Sequence, residues 1–372
     1  MKRHFKNRTW IAGFLALAVF PVAAPAMMST NEGYVELDLV SDLTNATKQF
    51  DPRLLNPWGL LVGRNTVWVN DNHSGLNTQY SPAGHPLKTS INITNQSGGP
   101  GAPTGLVLNN TAAFVVSNGA KSAPSTLLFA TEDGTLLAWN HAITGTNAVI
   151  VADRSSAVSG AVYKGLAMAQ NTDGAPRIYA ANFHAGAVDV FDGQFNYVKS
   201  FTDTNLPPNY APFNIRLSRG RLFVSFALQL LPDAMDDQKG PGHGFVDIFD
   251  TEGTLLRRFA SQGALDSPWG MAVAPANFGK FSHALLIGNF GDGKINAYDL
   301  LTGKWLGNLT DSSGADLVID ALWALTFEKE EVFGHECEFD AERLYFTAGP
   351  NDEADGLFGI IRPVSPHLPP AQ

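Results

Sequence analysis

Val188-Asp189-Val190-Phe191-Asp192, Val246-Asp247-Ile248-Phe249-Asp250 and Ile295-Asn296-Ala297-Tyr298-Asp299 are three versions of one short pattern. Apolar and polar side chains alternate and an aromatic closes the run, as in a strand with one buried face. Each run is opened by a glycine, and the glycines belong to a longer series. Gly75, Gly134, Gly186, Gly244, Gly293 and Gly356 recur at intervals of 49 to 63 residues, and five residues after each stands Tyr80, Trp139, Phe191, Phe249, Tyr298 or Ile361. Two further strand-like runs precede each glycine. The first follows a turn-like approach: Asn56-Pro57-Trp58-Gly59, Pro103-Thr104-Gly105, Tyr163-Lys164-Gly165, Ala211-Pro212-Phe213-Asn214, Ser267-Pro268-Trp269-Gly270 and Asp320-Ala321-Leu322-Trp323. A fourth strand follows across a turn, as in Thr254 to Phe259 and Trp305 to Leu309. Four strands repeating about every 50 residues predict an all-β, six-bladed β-propeller. A β-sandwich also uses short strands, but it does not account for six copies in one register.

The ends of the chain test this reading independently. The sixth copy reaches its third strand, Phe358 to Arg362, and then runs into a proline-rich tail that is unsuited to a central strand. Its fourth strand is missing. Tyr34-Val35-Glu36-Leu37-Asp38-Leu39-Val40 alternates and precedes the first full copy, so it is expected to complete the last blade and close the ring.

At the N-terminus Lys2, Arg3, Lys6 and Arg8 precede an apolar run from Trp10 to Val22 and then Ala24-Pro25-Ala26, the order of a secretory signal peptide. The expected organisation is a signal peptide over 1–26, one propeller over 27–363 and a proline-rich tail over 364–372. The protein is then periplasmic or extracellular, without membrane insertion after cleavage, and a monomer. The leader carries four of the 25 basic residues and none of the 35 acidic ones, so the charge moves from −10 for the whole chain to −14 without it. Nucleic acid is a poor partner for such a balance. Cys337 is the only cysteine, so no internal disulfide forms and a core must supply the stability. With 44% apolar residues there is enough material for one.

Leu39-Val40-Ser41-Asp42, Asn56-Pro57-Trp58-Gly59-Leu60, Tyr163-Lys164-Gly165-Leu166-Ala167, Gly244-Phe245-Val246-Asp247, Ser267-Pro268-Trp269-Gly270, Gly288-Asn289-Phe290-Gly291-Asp292-Gly293 and Tyr345-Phe346-Thr347-Ala348-Gly349-Pro350-Asn351-Asp352-Glu353 resemble an uncharacterised secreted bacterial family of NHL-like propellers. Some members of that family end in a PEP-CTERM sorting signal, which this chain lacks. The resemblance spans nearly the whole chain after the leader. It implies the fold and export, and no reaction.

In a propeller the turns before the inner strands and the turns between second and third strands open on one face. Four residues before the repeated glycine stand Asp71, Asn182, Asn289 and Asp352, with Ala130 and Gly240 in the other two blades. Such an oxygen-bearing ring suits Ca²⁺; Asx turns are the structural alternative. Trp58, Phe213, Trp269 and Trp323, with Lys164, are expected on the same face as a ligand pocket or as packing between blades. Lys164 needs a partner at an otherwise apolar position. His73, His184 and His243 lie in these loops, and His184 or Asp292 is the candidate base if the protein hydrolyses a substrate. The insertion from Gln229 to Pro241 is placed to fold over the face as a lid. The acidic run from Glu328 to Asp340, with His335 and Cys337, is read as a solvated loop on the opposite face.

Two functional classes follow. The first is a non-catalytic binding or interaction protein of the cell envelope, taking a small molecule, glycan or envelope protein at the axis. The second is a calcium-dependent hydrolase of the lactonase kind, which six-bladed propellers resembling this one include. Those enzymes place a Glu just before an inner strand as a metal ligand, whereas this chain has Asn56, Thr104, Tyr163, Asn214, Ser267 and Asp320 there. That departure ranks binding first.

Overall fold

The computed structural model describes Met1 and residues 33–63, 65–157, 160–327 and 342–364. The expected signal peptide, the acidic run after Phe327 and the tail beyond Val364 lie outside the described residues.

The chain begins with β1 (Tyr34–Ser41) and the short β2 (Gln49–Phe50). Blade 1 contains β3 (Pro57–Val62), β4 (Val67–Asp71), β5 (Leu76–Tyr80) and β6 (Ile91–Asn92). In blade 2, β7 (Pro103–Leu108) is followed by a small hairpin, β8 (Val115–Ser117) and β9 (Ser122–Pro124), and then by β10 (Leu127–Thr131) and β11 (Thr135–Trp139). A single helical turn, α1 (His141–Thr144), leads to β12 (Val149–Asp153), the outer strand of that blade. Blade 3 is β13 (Tyr163–Gln170), β14 (Pro176–Asn182), β15 (Ala187–Phe191) and β16 (Tyr197–Phe201). Blade 4 is β17 (Tyr210–Ser218), β18 (Arg221–Leu228), β19 (Gly244–Phe249) and β20 (Leu255–Ser261). Blade 5 is β21 (Pro268–Val273), β22 (Leu285–Asn289), β23 (Ile295–Tyr298) and β24 (Trp305–Asn308). Blade 6 is built from β25 (Leu322–Phe327), β26 (Leu344–Ala348) and β27 (Leu357–Pro363), with β1 as its fourth strand.

Closure works as the alternation at both chain ends requires. β1 runs antiparallel to β27, with Tyr34 opposite Pro363 and Ser41 opposite Leu357, and β2 lies parallel to β1 at the edge. Pro363 sits at the end of this ladder, where its missing N–H costs little.

The core is a series of apolar layers between neighbouring blades. Tyr179, Val188, Ile215, Phe226 and Phe249 form one such layer between blades 3 and 4, and Met271, Ile287, Phe223 and Tyr298 contribute to the next. Each fully buried side chain of this size stabilises the ring by about 1.5–3 kcal/mol relative to exposure. The inner strands converge so tightly that Gly59 is required: a Cβ there would collide with the Thr104 carbonyl oxygen of the next blade.

Candidate functional site

Every inner strand loses register with its neighbour at the same point. The slips fall between Pro57 and Leu60, Tyr163 and Gly165, Pro212 and Asn214, Pro268 and Gly270, Leu322 and Leu325, and, in blade 2, opposite Ala130. The residues in or at these bulges include Trp58, Thr104, Lys164, Phe213, Trp269 and Trp323. A bulge re-aims a side chain that would otherwise point between blades, here toward the axis. Four of the strands are introduced by non-glycine residues in the left-handed region, Asn56 (φ 45°), Asn209 (φ 67°), Ser267 (φ 47°) and Ala321 (φ 50°). This backbone is strained, and at Asn56, Ser267 and Ala321 it delivers the three tryptophans to one place.

The five residues expected on this face are thus brought together. Trp58 stacks on Trp323 at 3.5 Å between ring centroids, and Phe290 stacks on Trp323 at 4.0 Å. Trp269 meets Trp58 and Trp323 edge-on at 6.1 and 5.7 Å, while Phe213 lies 5.9 Å from Trp323 and Phe183 5.3 Å from Phe213. None of these rings is more than 4% exposed. They close the axis as a plug.

Lys164 stands against this plug with 2% exposure. Its Nζ is 5.1 Å from the centre of the Trp58 ring, pairs with Glu132 from the turn between β10 and β11, and lies 3.2 Å from Asp236 in the blade 4 insertion. The two carboxylates outweigh the desolvation that opposes its charge, so its pKa is raised. Asn72 donates to the other Glu132 oxygen at 2.8 Å. Across the mouth Asn56 donates to Glu353 at 2.6 Å and accepts from the Trp323 indole at 3.0 Å. Gly349 makes this possible, because a Cβ there would occupy the position of the Asn56 side-chain oxygen. Burial pushes the Glu353 carboxyl up against the pull of Asn56, and the charge of Glu132 adds to that rise. Burial likewise raises Asp237, against the pull of Ser267, Lys164 and Lys239. Trp58 Nε1 is buried without a hydrogen-bond partner, and the buried Ser267 hydroxyl faces the Asp237 carboxyl.

A repeated hydrogen bond explains which positions reach the mouth. The backbone N–H groups of Asn72, Glu132, Phe183, Gln229, Phe290 and Gly349 donate to the carbonyls of Asn56, Ala102, Val162, Asn209, Ser267 and Ala321, at 2.8 to 3.0 Å. Asn72, Phe183 and Phe290 follow Asp71, Asn182 and Asn289 by one residue. Along extended chain, one residue exchanges the two faces. Asp71, Asn182 and Asn289 accordingly bond within or beside their own blades, and Asp71 Oδ1 and Asn289 Oδ1 are buried without a hydrogen-bond partner. Asp71 Oδ2 accepts from Thr78 N at 3.1 Å, with its pKa raised well above the usual range by burial. Asn182 donates to Asp189 at 3.1 Å, and Asn289 donates to the Ala264 carbonyl at 2.8 Å and to Asp292 at 2.9 Å. Asp352 is exposed in a left-handed turn. Among the described residues no group of three or more His, Cys, Asp and Glu is arranged to hold a metal ion.

Asp292 is engaged in its own turn, accepting from Asn289 and from Lys294 N. His184 Nδ1 is buried without a hydrogen-bond partner. His243 Nδ1 sits 2.8 Å from the Gln238 carbonyl, and exposed His73 lies 3.3 Å from Asn56 Nδ2. The insertion folds over the axis as its position suggested. Gln229 Nε2 donates to the Phe183 carbonyl at 2.7 Å, Lys239 lies 4.1 Å above the Phe290 ring, and Gly240 N donates to Asp266 at 2.7 Å. Glu132, Glu353 and this insertion carry no repeat signal, so the glycine period does not single them out.

No protein-family model matches the chain. It is 33% identical over 332 residues to the uncharacterised protein L690 of Acanthamoeba polyphaga mimivirus, covering 87% of this chain and 84% of that one. With the uncharacterised protein R648 of the same virus it shares 31% identity over 329 residues, covering 87% of this chain and 78% of that one. An α-L-arabinanase of Penicillium chrysogenum, solved with arabinobiose, superposes with a TM-score of 0.53 at 13% identity, over 88% of this chain and 98% of that one. Similarity at that level speaks for the propeller fold alone. The chain is a six-bladed β-propeller that belongs to the same family as the mimivirus proteins L690 and R648.

Proposed function

We propose that this protein is an exported, non-catalytic binding protein whose ligand sits in the axial mouth above the aromatic plug. The observation that carries the reading is Trp58 Nε1, buried without a hydrogen-bond partner beside the Lys164–Glu132–Asp236 network. An unpartnered buried donor or acceptor costs about 1–3 kcal/mol, and a ligand that pairs with it recovers that cost. Because the aromatic rings are covered, recognition rests on the polar rim. There Glu132, Asp236, Asp237 and Glu353 outnumber Lys164 and Lys239, so the ligand is one that presents amino and hydroxyl donors, such as an amino sugar. Export rests on the charged, apolar and small-residue order of residues 2–26 and on the resemblance to secreted bacterial propellers.

The test is calorimetric titration of the protein with amino sugars, neutral sugars, lactones and esters, with and without Ca²⁺, followed by product analysis. Saturable binding of amino sugars without turnover, weakened about tenfold in Glu353→Gln by loss of a charged hydrogen bond, is expected. Turnover of any lactone or ester, lost in His184→Ala or Asp292→Ala, would replace this reading with the hydrolase.

A further inference from the structure

Below the plug the axis holds a second cation. Arg216 lies three residues beyond Phe213 on β17, roughly 10 Å farther along the strand at about 3.3 Å per residue. The positions that correspond to it in the other blades are Leu61, Val107, Ala167, Ala272 and Thr326, none of them charged. Its Nη1 donates to the Leu325 carbonyl at 3.3 Å. Leu325 belongs to blade 6 and Arg216 to blade 4, so the side chain reaches past blade 5 across the axis. That bond, at the long end of the range, is the only hydrogen bond of the Arg216 side chain among the described residues, and no carboxylate pairs with it there. The residue keeps partial access to solvent, so a small solute can reach it.

A guanidinium carries five N–H donors in a planar fork, and a partly buried charge with no counter-charge is unfavourable. Burial lowers the Arg216 pKa to about 10, so the group remains charged at neutral pH. We propose that Arg216 forms an oxyanion site in the axial channel, binding a compact carboxylate or phosphate through its free donors. The fork matches two oxygens of such a group and supplies the missing counter-charge. This site is separated from the axial mouth by the plug and does not depend on what the mouth binds.

The experiment is a thermal-shift titration of the whole protein with acetate and, separately, with inorganic phosphate, at constant ionic strength held by a bulky sulfonate. Wild type is expected to gain melting temperature in a saturable way, as binding to the folded state alone requires. Arg216→Met should bind either anion at least about tenfold more weakly, and Arg216→Lys should retain part of the response. The stronger of the two responses identifies carboxylate or phosphate as the ligand group. Crystals soaked in selenate should show an anomalous peak within hydrogen-bond distance of Arg216 in wild type and none in Arg216→Met. Equal shifts in wild type and Arg216→Met, or no saturable shift in wild type, would overturn the proposal. Should Arg216→Met fail to fold, Arg216→Gln carries the same comparison.

Discussion

Lys164 and Arg216 both stand near the axis of one propeller, Lys164 buried against the aromatic plug and Arg216 partly buried below it, and their surroundings are opposite. Lys164 is held by Glu132 and Asp236 and lies over the Trp58 ring. Arg216 meets a single backbone carbonyl. A compensated cation belongs to the protein's own architecture, because removing it strands the carboxylates arranged around it. An uncompensated one lowers the stability of the empty protein and is relieved by something bound. The contrast separates a network that holds the mouth together from a group awaiting a partner.

The plug is the frame for both, so its loss should have the largest effect. Trp323→Ala removes the ring between Trp58 and Phe290, and is expected to destabilise the protein by about 3–5 kcal/mol in urea unfolding. A loss below about 1 kcal/mol would mean that the rings carry little of the ring closure at the axis.

Lys164→Met comes next. It leaves Glu132 and Asp236 without their cation, but these are 23% and 74% exposed, so solvent screens part of the effect. About 2–3 kcal/mol of destabilisation is expected. Arg216→Met in oxyanion-free buffer should instead stay within about 1 kcal/mol of wild type or exceed it, since it exchanges an unpaired charge for apolar volume. Equal losses in the two variants would break the comparison between the two cations.

The smallest effect lies on the closing strand. Burial, together with the charge of Asp38, raises Glu36 from 4.5 to about 7, and burial raises Asp38 as well. Between those two values folded Glu36 holds a proton that the unfolded chain has lost, so stability falls as pH rises from about 4.5 to 7 and the loss is complete above that. Glu36→Gln removes this dependence. It should raise stability at pH 8 by about 1 kcal/mol, a figure reduced for the partial exposure of β1, and flatten the profile between pH 5 and 7. Parallel profiles in wild type and variant would show that Glu36 ionises normally in the folded state.

The register of the blades was readable because it rests on local rules. The glycine turns and the alternation at Val188–Phe191, Val246–Phe249 and Ile295–Tyr298 follow from chain geometry, and so did the pairing of β1 with β27. The positions of Trp58, Lys164, Phe213, Trp269 and Trp323 were also legible, since all five stand in the repeated approach to an inner strand. Their burial was not, because it depends on how six strands meet. The oxygen-bearing quartet shows the limit more sharply. Asp71, Asn182 and Asn289 repeat in sequence, but the side chains that reach the mouth belong to the next residue, and a repeat alone does not say which face of a strand is turned to the axis.

The sequence by itself determined the number of blades, the strand order and the way the ring closes, because repeats, turns and alternation act over a few residues. Only the tertiary structure decided that Lys164 is paired and Arg216 is not. Glu132, Asp236 and Leu325 lie far from them along the chain, and whether a buried charge finds a counter-charge depends on distances that exist only once the blades surround a common axis.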